Sequence, residues 1–335
     1  MPVLPAAIMF LPTIRAGARH PGLARGVAGG IAAGALWGLV FLVPQLLPDF
    51  TPPQQAVARY LAYGLLALAL LAPRWRRATA GLGAPEWRGL LWLSLLGNLL
   101  YFVLLASAVH AAGGAATALI VGLVPVVVTV VGARRRVGNG PGLAALAGPC
   151  LLSVLGMALV AVDAVLAGRG LATDPAGRAL GLLCAVGALL SWSAYSVGNA
   201  RWLERRANIS SQDWSLLTGV ATGALALLLA PAALAWNSTA HAGSDWLRLL
   251  GLSCGLALFA SVIGNAFWNT ASRRLPLSLS GQMIVFETLF ALLYGFLWEW
   301  RLPGVLELAA VACLLAGVLW CTALHVPAEA PVHAG

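Results

Sequence analysis

Apolar residues fall in runs of about 20 along most of the chain, separated by short polar gaps. Wound as a helix, a run of that length spans the roughly 30 Å hydrocarbon layer of a bilayer. The pattern predicts ten spans, at 26–47, 54–72, 89–109, 112–131, 143–162, 179–200, 214–235, 247–270, 277–298 and 304–324. The third and fourth are the least separated. They meet at His110-Ala111 with almost no turn, unless Gly113-Gly114 supplies one. Pro44 and Pro125 fall inside spans, where a missing N–H and a ring clash predict kinks. Gly26, Gly30, Gly34 and Gly38 recur every fourth residue, a smooth stripe that lets a neighbouring helix approach closely. Packing within the chain accounts for that stripe more simply than a dimer contact.

The polar gaps carry a second pattern. Arginines gather before the first span (Arg15, Arg19, Arg25) and after the second (Arg74, Arg76, Arg77, Arg88). They recur after the fourth (Arg134, Arg135, Arg136), the sixth (Arg201, Arg205, Arg206) and the eighth (Arg273, Arg274). The alternate gaps hold only Arg169, Arg178, Arg248 and Arg301, mostly beside Asp49, Asp174, Asp245 and Glu299. Basic loops stay cytoplasmic, so both termini are predicted inside. Trp75, Trp87, Trp214, Trp236, Trp246, Trp298 and Trp300 cluster at span ends, as interfacial belts do.

Ten spans divide into five and five, and an odd number per half inserts the second half upside down. Leu96-Gly97-Asn98-Leu99-Leu100-Tyr101 echoes Ile263-Gly264-Asn265-Ala266-Phe267-Trp268, and Gly34-Ala35-Leu36-Trp37 echoes Ala188-Leu189-Leu190-Ser191-Trp192. The expected organisation is an all-α integral membrane protein with two inverted five-helix repeats and both ends inside. Its parts are a cytoplasmic tail (1–25), a first repeat (26–163), a periplasmic linker (164–178), a second repeat (179–324) and a cytoplasmic tail (325–335).

Composition narrows the class. The chain is 60% hydrophobic and 9% charged, with a mean hydropathy of +0.88, against about 25% charged residues in soluble domains. The net charge of +9 sits in the gaps, so it reads as membrane orientation and not as a nucleic-acid surface. Cys150, Cys184, Cys254, Cys313 and Cys321 lie in apolar runs without a C-x-x-C pair and read as small hydrophobes. No cofactor or metal is implied. The Walker loop and H-E-x-x-H are missing from the sequence, which disfavours ATP hydrolysis and zinc-peptidase chemistry.

Against this apolar background, polar groups inside spans are the candidates for function. Glu287 sits near the middle of span nine, where a carboxylate facing lipid costs about 2.5–3.5 kcal/mol or more. It shares a face with Ser280, Tyr294 and Trp298. Ser261, Asn265, Trp268, Asn269 and Ser272 align on span eight, and Ser94, Asn98 and Tyr101 on span three. Ser191, Tyr195 and Asn199 align on span six beside Trp192, and Trp37, Phe41 and Gln45 on span one. Arg59, Tyr60 and Tyr63 occupy the outer part of span two. These faces predict a wet interior cavity, although single Asn and Ser residues also serve as interhelical glue. The candidate lining is Glu287, Arg59, Trp37, Tyr63, Asn98, Tyr101, Trp192, Tyr195, Asn265, Trp268, Asn269 and Tyr294.

Arg59 is about 8 Å inside the outer boundary and Glu287 about 15 Å from the inner one. Two arrangements are open. Arg59 reaches toward the carboxylate, or holds the far end of a zwitterion bound to it; or Arg59 snorkels to the interface and Glu287 is protonated, a candidate for proton coupling.

Gly34-Ala35-Leu36-Trp37-Gly38-Leu39-Val40-Phe41 followed by Arg59-Tyr60 resembles the first two helices of EamA-type members of the drug/metabolite transporter superfamily. Leu293-Tyr294-Gly295-Phe296-Leu297-Trp298-Glu299-Trp300-Arg301-Leu302-Pro303-Gly304, followed by Ala316-Gly317-Val318, resembles the end of the family's second repeat. Phe286-Glu287-Thr288 and Trp37-Gly38-Leu39-Val40-Phe41 also resemble the YtfF-like subgroup of bacterial inner-membrane proteins. The resemblance implies alternating-access export or exchange of small metabolites, such as amino acids, across the inner membrane, with a monomer sufficient and a dimer possible. Many members carry Pro after the ninth-helix acidic position. Thr288 stands there in this chain, so the break in that helix is expected to be absent. The competing classes are an integral-membrane enzyme and a non-transporting scaffold or sensor.

Overall fold

The computed structural model describes residues 21–47, 49–112, 114–134, 141–166, 175–235 and 241–325. Residues 1–20 and 326–335 of the expected tails and residues 167–174 of the expected linker lie outside the described residues, as do Arg135, Arg136 and Trp236. Among the described residues, nine helices are long and apolar enough to cross a membrane, and Leu119–Arg134 adds a shorter apolar one.

In chain order these are α1 (Pro21–Gly38), α2 (Pro52–Leu71), α3 (Ala84–Ser94, Leu95–Leu99 and Leu100–Ala112) and α4 (Gly114–Val121 and Val124–Arg134). They continue as α5 (Leu143–Leu166), α6 (Pro175–Arg205), α7 (Ser211–Ala235) and α8 (Gly243–Leu256, Ala257–Gly264 and Asn265–Arg274). The last two are α9 (Leu277–Met283 and Val285–Trp298) and α10 (Val305–His325).

Most helices begin several residues before the apolar run does. Local caps explain this. The backbone N–H of Thr51 donates to Gln54 Oε1 at 2.9 Å ahead of α2, and that of Gly83 to Glu86 Oε2 at 2.7 Å ahead of α3. Such contacts satisfy free N–H groups and make a polar first turn helical.

The prolines act differently from the expected mid-span kinks. Pro44 lies in a new short helix, Val43–Leu46, and Pro125 in the first turn of the second half of α4, after a turn at Gly122-Leu123. Pro149 and Pro231, by contrast, are accommodated inside α5 and α7.

The ninth helix spans Leu277–Trp298 without a proline break; only one tightened turn at Ile284, whose backbone stays helical, interrupts it, and the Glu287 N–H donates to Ile284 O at 3.0 Å. The glycine stripe of α1 lies along this helix. Gly30 packs on Met283, Gly34 on Phe286 and the backbone N of Glu287, and Gly38 on Phe290 and Ala291. Close contact with α1 thus runs along α9 on both sides of that turn.

Interhelical packing follows a rule. α2 packs on α7, α4 on α9 and α5 on α10; α1 packs on α8, and α6 on α3. Adding five to each helix number (ten wrapping round) carries this set onto itself. α1 against α9 and α6 against α4 obey the same relation. At the α2–α7 crossing, a Cβ on Gly64 would sit 2.5 Å from Gly223 Cα, and one on Gly223 would sit 2.6 Å from Gly64 Cα.

The arginine-bearing segments share one end of the bundle. Arg74 Nε meets Asp213 Oδ1 at 2.6 Å, Arg206 pairs with Glu86, and Arg273 donates to the Arg206 carbonyl at 3.3 Å. Gly26 lies against Arg274 and Leu275, and Ser278 Oγ meets His325 Nε2 at 2.7 Å. The start of α1 and the end of α10 are thus at this end too. At the opposite end Arg301 holds Glu307 through two hydrogen bonds of 2.6 and 2.7 Å and also bonds Glu299, which together raise its pKa above the ordinary arginine range. Leu65, Leu151, Leu183 and Leu228 are exposed around the perimeter, the surface a hydrocarbon layer covers.

Candidate functional site

The two Gly-Asn motifs coincide with or directly follow π-helical turns, Leu95–Leu99 in α3 and Ala257–Gly264 in α8. A π turn inserts a residue and leaves a backbone carbonyl in need of a partner outside the helix. Those partners come from the other half of the chain. Trp37 Nε1 donates to Ala260 O at 3.0 Å, and Ser191 Oγ donates to Leu96 O at 2.7 Å. Glycine makes the approach possible: a Cβ on Gly264 would lie 3.0 Å from Trp37 Nε1, and one on Gly97 would collide with the Tyr195 ring. The asparagines of the two motifs also correspond. Asn98 Nδ2 donates to Thr222 Oγ1 on α7 at 2.9 Å, and Asn265 Nδ2 to Tyr63 OH on α2 at 3.3 Å.

Between these turns lies a cavity that leaves about 50 Å³ open to the centres of water molecules. That is room for about three to five waters at roughly 10–15 Å³ each. α1 supplies Trp37, Val40 and Phe41; α2 supplies Arg59 and Tyr60; α3 supplies Gly97, Asn98, Tyr101, Phe102 and Leu105. Trp192 and Tyr195 of α6, Asn265 of α8 and Glu287 of α9 complete the wall. Arg59 and Phe41 place the cavity in the half of the bundle away from the arginine-rich end.

Arg59 is only 8% exposed. Its guanidinium lies 5.1 Å from the Tyr60 ring centroid and 5.9 Å from that of Phe102, Nη2 donates to Ser261 Oγ at 3.4 Å, and Nε has no partner. Of the two arrangements open from the sequence, the head group faces inward and does not snorkel. Glu287 is half-buried, three residues past the tightened turn at Ile284.

Eight of the twelve candidate residues meet at the cavity: Glu287, Arg59, Trp37, Asn98, Tyr101, Trp192, Tyr195 and Asn265. The other four lie elsewhere. Tyr63 is buried one turn further along α2, donating to Ser215 O at 2.8 Å. Trp268 sits behind Trp37 and Trp192, at ring distances of 5.3 and 5.8 Å. Asn269 accepts from Asn199 Nδ2 at 2.7 Å, and Tyr294 donates to Ala35 O at 2.9 Å. Phe102 and Leu105 were not anticipated. Their spacing of four and seven residues from Asn98 puts them on its face and was the available signal.

Residues 24–162 match the model of the EamA-like transporter family. Inner membrane protein YtfF of Escherichia coli (strain K12) is 32% identical over 289 residues, covering 84% of this chain and 89% of YtfF. The chain belongs to the EamA-like transporter family. It is a multi-pass inner-membrane protein of the drug/metabolite transporter superfamily. A crystal structure with a TM-score of 0.67 and 22% identity covers 90% of this chain and 98% of that one, a shared fold for the EamA-like chain.

Proposed function

We propose that this membrane transporter is a secondary exporter or exchanger of a small polar or amphipathic zwitterion such as an amino acid. The observation that carries the reading is the sharing of one aromatic-walled cavity by Arg59 and Glu287. Buried charges are retained when something completes them. A ligand with an anionic and a cationic end completes both, and the rings of Trp37, Tyr101 and Trp192 suit its apolar body.

The two halves act as inverted repeats, with both termini and the arginine-rich end cytoplasmic. The matching π turns and the helix pairing that repeats every five helices support this. Transport follows by alternating access around the cavity, with Glu287 as the proton-carrying group and the monomer as the working unit. Counterflow in liposomes loaded with candidate amino acids tests the reading. Accelerated uptake of a labelled zwitterion is the expected result; no counterflow with any zwitterion, by protein that is folded and monodisperse, would overturn it.

A further inference from the structure

Below the cavity, two polar faces run on toward the arginine-rich end. On α6 the face that presents Trp192 continues as Ser196 and Asn199, at helical spacing. On α8 the face that presents Asn265 continues as Trp268, Asn269 and Ser272. The faces meet, since the Trp192 and Trp268 rings are 5.8 Å apart and Asn199 Nδ2 donates to Asn269 Oδ1 at 2.7 Å. α7 closes over this pair: Trp214 Nε1 donates to Asn199 Oδ1 at 2.9 Å, and Asn269 Nδ2 donates to Ser211 O at 3.4 Å. From Trp192 to Asn199 the seam is about 10 Å long.

A seam built only to hold helices together would be apolar or fully bonded. This one is neither. Ser196 Oγ and Trp268 Nε1 are buried, at 1% residue exposure each, with no hydrogen-bond partner. Orphaned groups of this kind are rare in native interiors and call for an explanation. Water or a polar ligand entering the seam would satisfy both at once, so an opened state recovers what the closed one forgoes.

We propose that the seam between α6 and α8 is the substrate's route from the cavity to the cytoplasm, and that the Asn199–Asn269 amide pair is its gate. The proposal rests on the transport reading, but its labelling test needs no knowledge of the substrate. In a background with Cys150, Cys184, Cys254, Cys313 and Cys321 replaced, Ser196→Cys is exposed to a membrane-impermeant thiosulfonate on either side of oriented vesicles. Ala207→Cys, on an exposed position at the arginine-rich end, reports sidedness.

The expected result is modification of Ser196→Cys from the Ala207 side, more slowly than Ala207→Cys, and about fivefold or more faster once Asn199→Ala or Asn269→Ala removes the pair. Failure to react from that side while Ala207→Cys reacts would overturn the proposal, as would a rate unchanged by either alanine. Bridging Asn199→Cys and Asn269→Cys with a short reducible cross-linker is expected to stop counterflow until reductant is added; undiminished counterflow when bridged also overturns it. If labelling behaves as expected and no zwitterion is carried, the substrate reading fails and the gate stands.

Discussion

Arg59 and Glu287 face the same cavity and yet do not form an ion pair; no nitrogen of one lies within 4.0 Å of an oxygen of the other. A direct bridge would have left little for a ligand to gain. Instead Arg59 leans on two aromatic rings and a long hydrogen bond to Ser261, with Nε unused. On the proposed reading, the gap between them would take the opposite ends of a zwitterion.

Replacing Arg59 by Gln is expected to weaken a zwitterionic substrate roughly 10- to 150-fold, the loss of about 1.5–3 kcal/mol for a hydrogen bond to a charged group. Lys, a point charge without the planar fork, is expected to restore only part of that. The discriminating comparison is a decarboxylated analogue, whose weaker binding should be nearly the same in wild type and Arg59→Gln. Equal losses for both ligands would mean that Arg59 shapes the cavity without touching a carboxylate.

Glu287→Gln keeps the side chain's shape and removes its proton chemistry. With Glu287 as the proton carrier, uptake driven by an imposed pH gradient is expected to disappear, whereas substrate exchange across a neutral membrane persists at a reduced rate. Parallel measurements in liposomes with and without a pH step check this. A variant that still responds to the gradient would transfer proton coupling to another group.

Most of the fold was legible because hydropathy and arginine placement act over whole spans, and lipid allows few alternatives. What escaped was set by contacts between spans. The tightened turn at Ile284 has no local marker in the sequence, and the close approach of Gly34 and Gly38 to Phe286, Glu287, Phe290 and Ala291 just beyond it shows only in the fold. The π turns were visible only as repeated Leu-Gly-Asn and Ile-Gly-Asn letters. Within the site, helical spacing found the faces but not their depth. Asn265 and Asn269 lie on one face of α8, one on the cavity wall and the other in the buried seam below it.

The side chains that cap the two π turns should separate structure from binding. Ser191→Ala and Trp37→Phe each strip a hydrogen bond from a buried carbonyl, a loss of about 1–3 kcal/mol. Both are expected to lower the melting temperature in detergent. Only Trp37 also lines the cavity, so Trp37→Phe alone should raise the substrate KM. A KM shift of equal size in Ser191→Ala would show that the π turns themselves govern affinity.

The α2–α7 crossing offers a test of packing free of ligand chemistry. A methyl on Gly64 or Gly223 meets backbone, not a movable side-chain tip. Either Ala variant must therefore push the helices apart, at a cost of about 1–3 kcal/mol. Once one methyl has separated the pair, the second occupies space already opened. Thermal unfolding of Gly64→Ala, Gly223→Ala and the double variant should show a combined loss smaller than the sum of the two. Strict additivity would mean that the helices yield independently at each site, and that Gly64 and Gly223 do not meet across a single crossing.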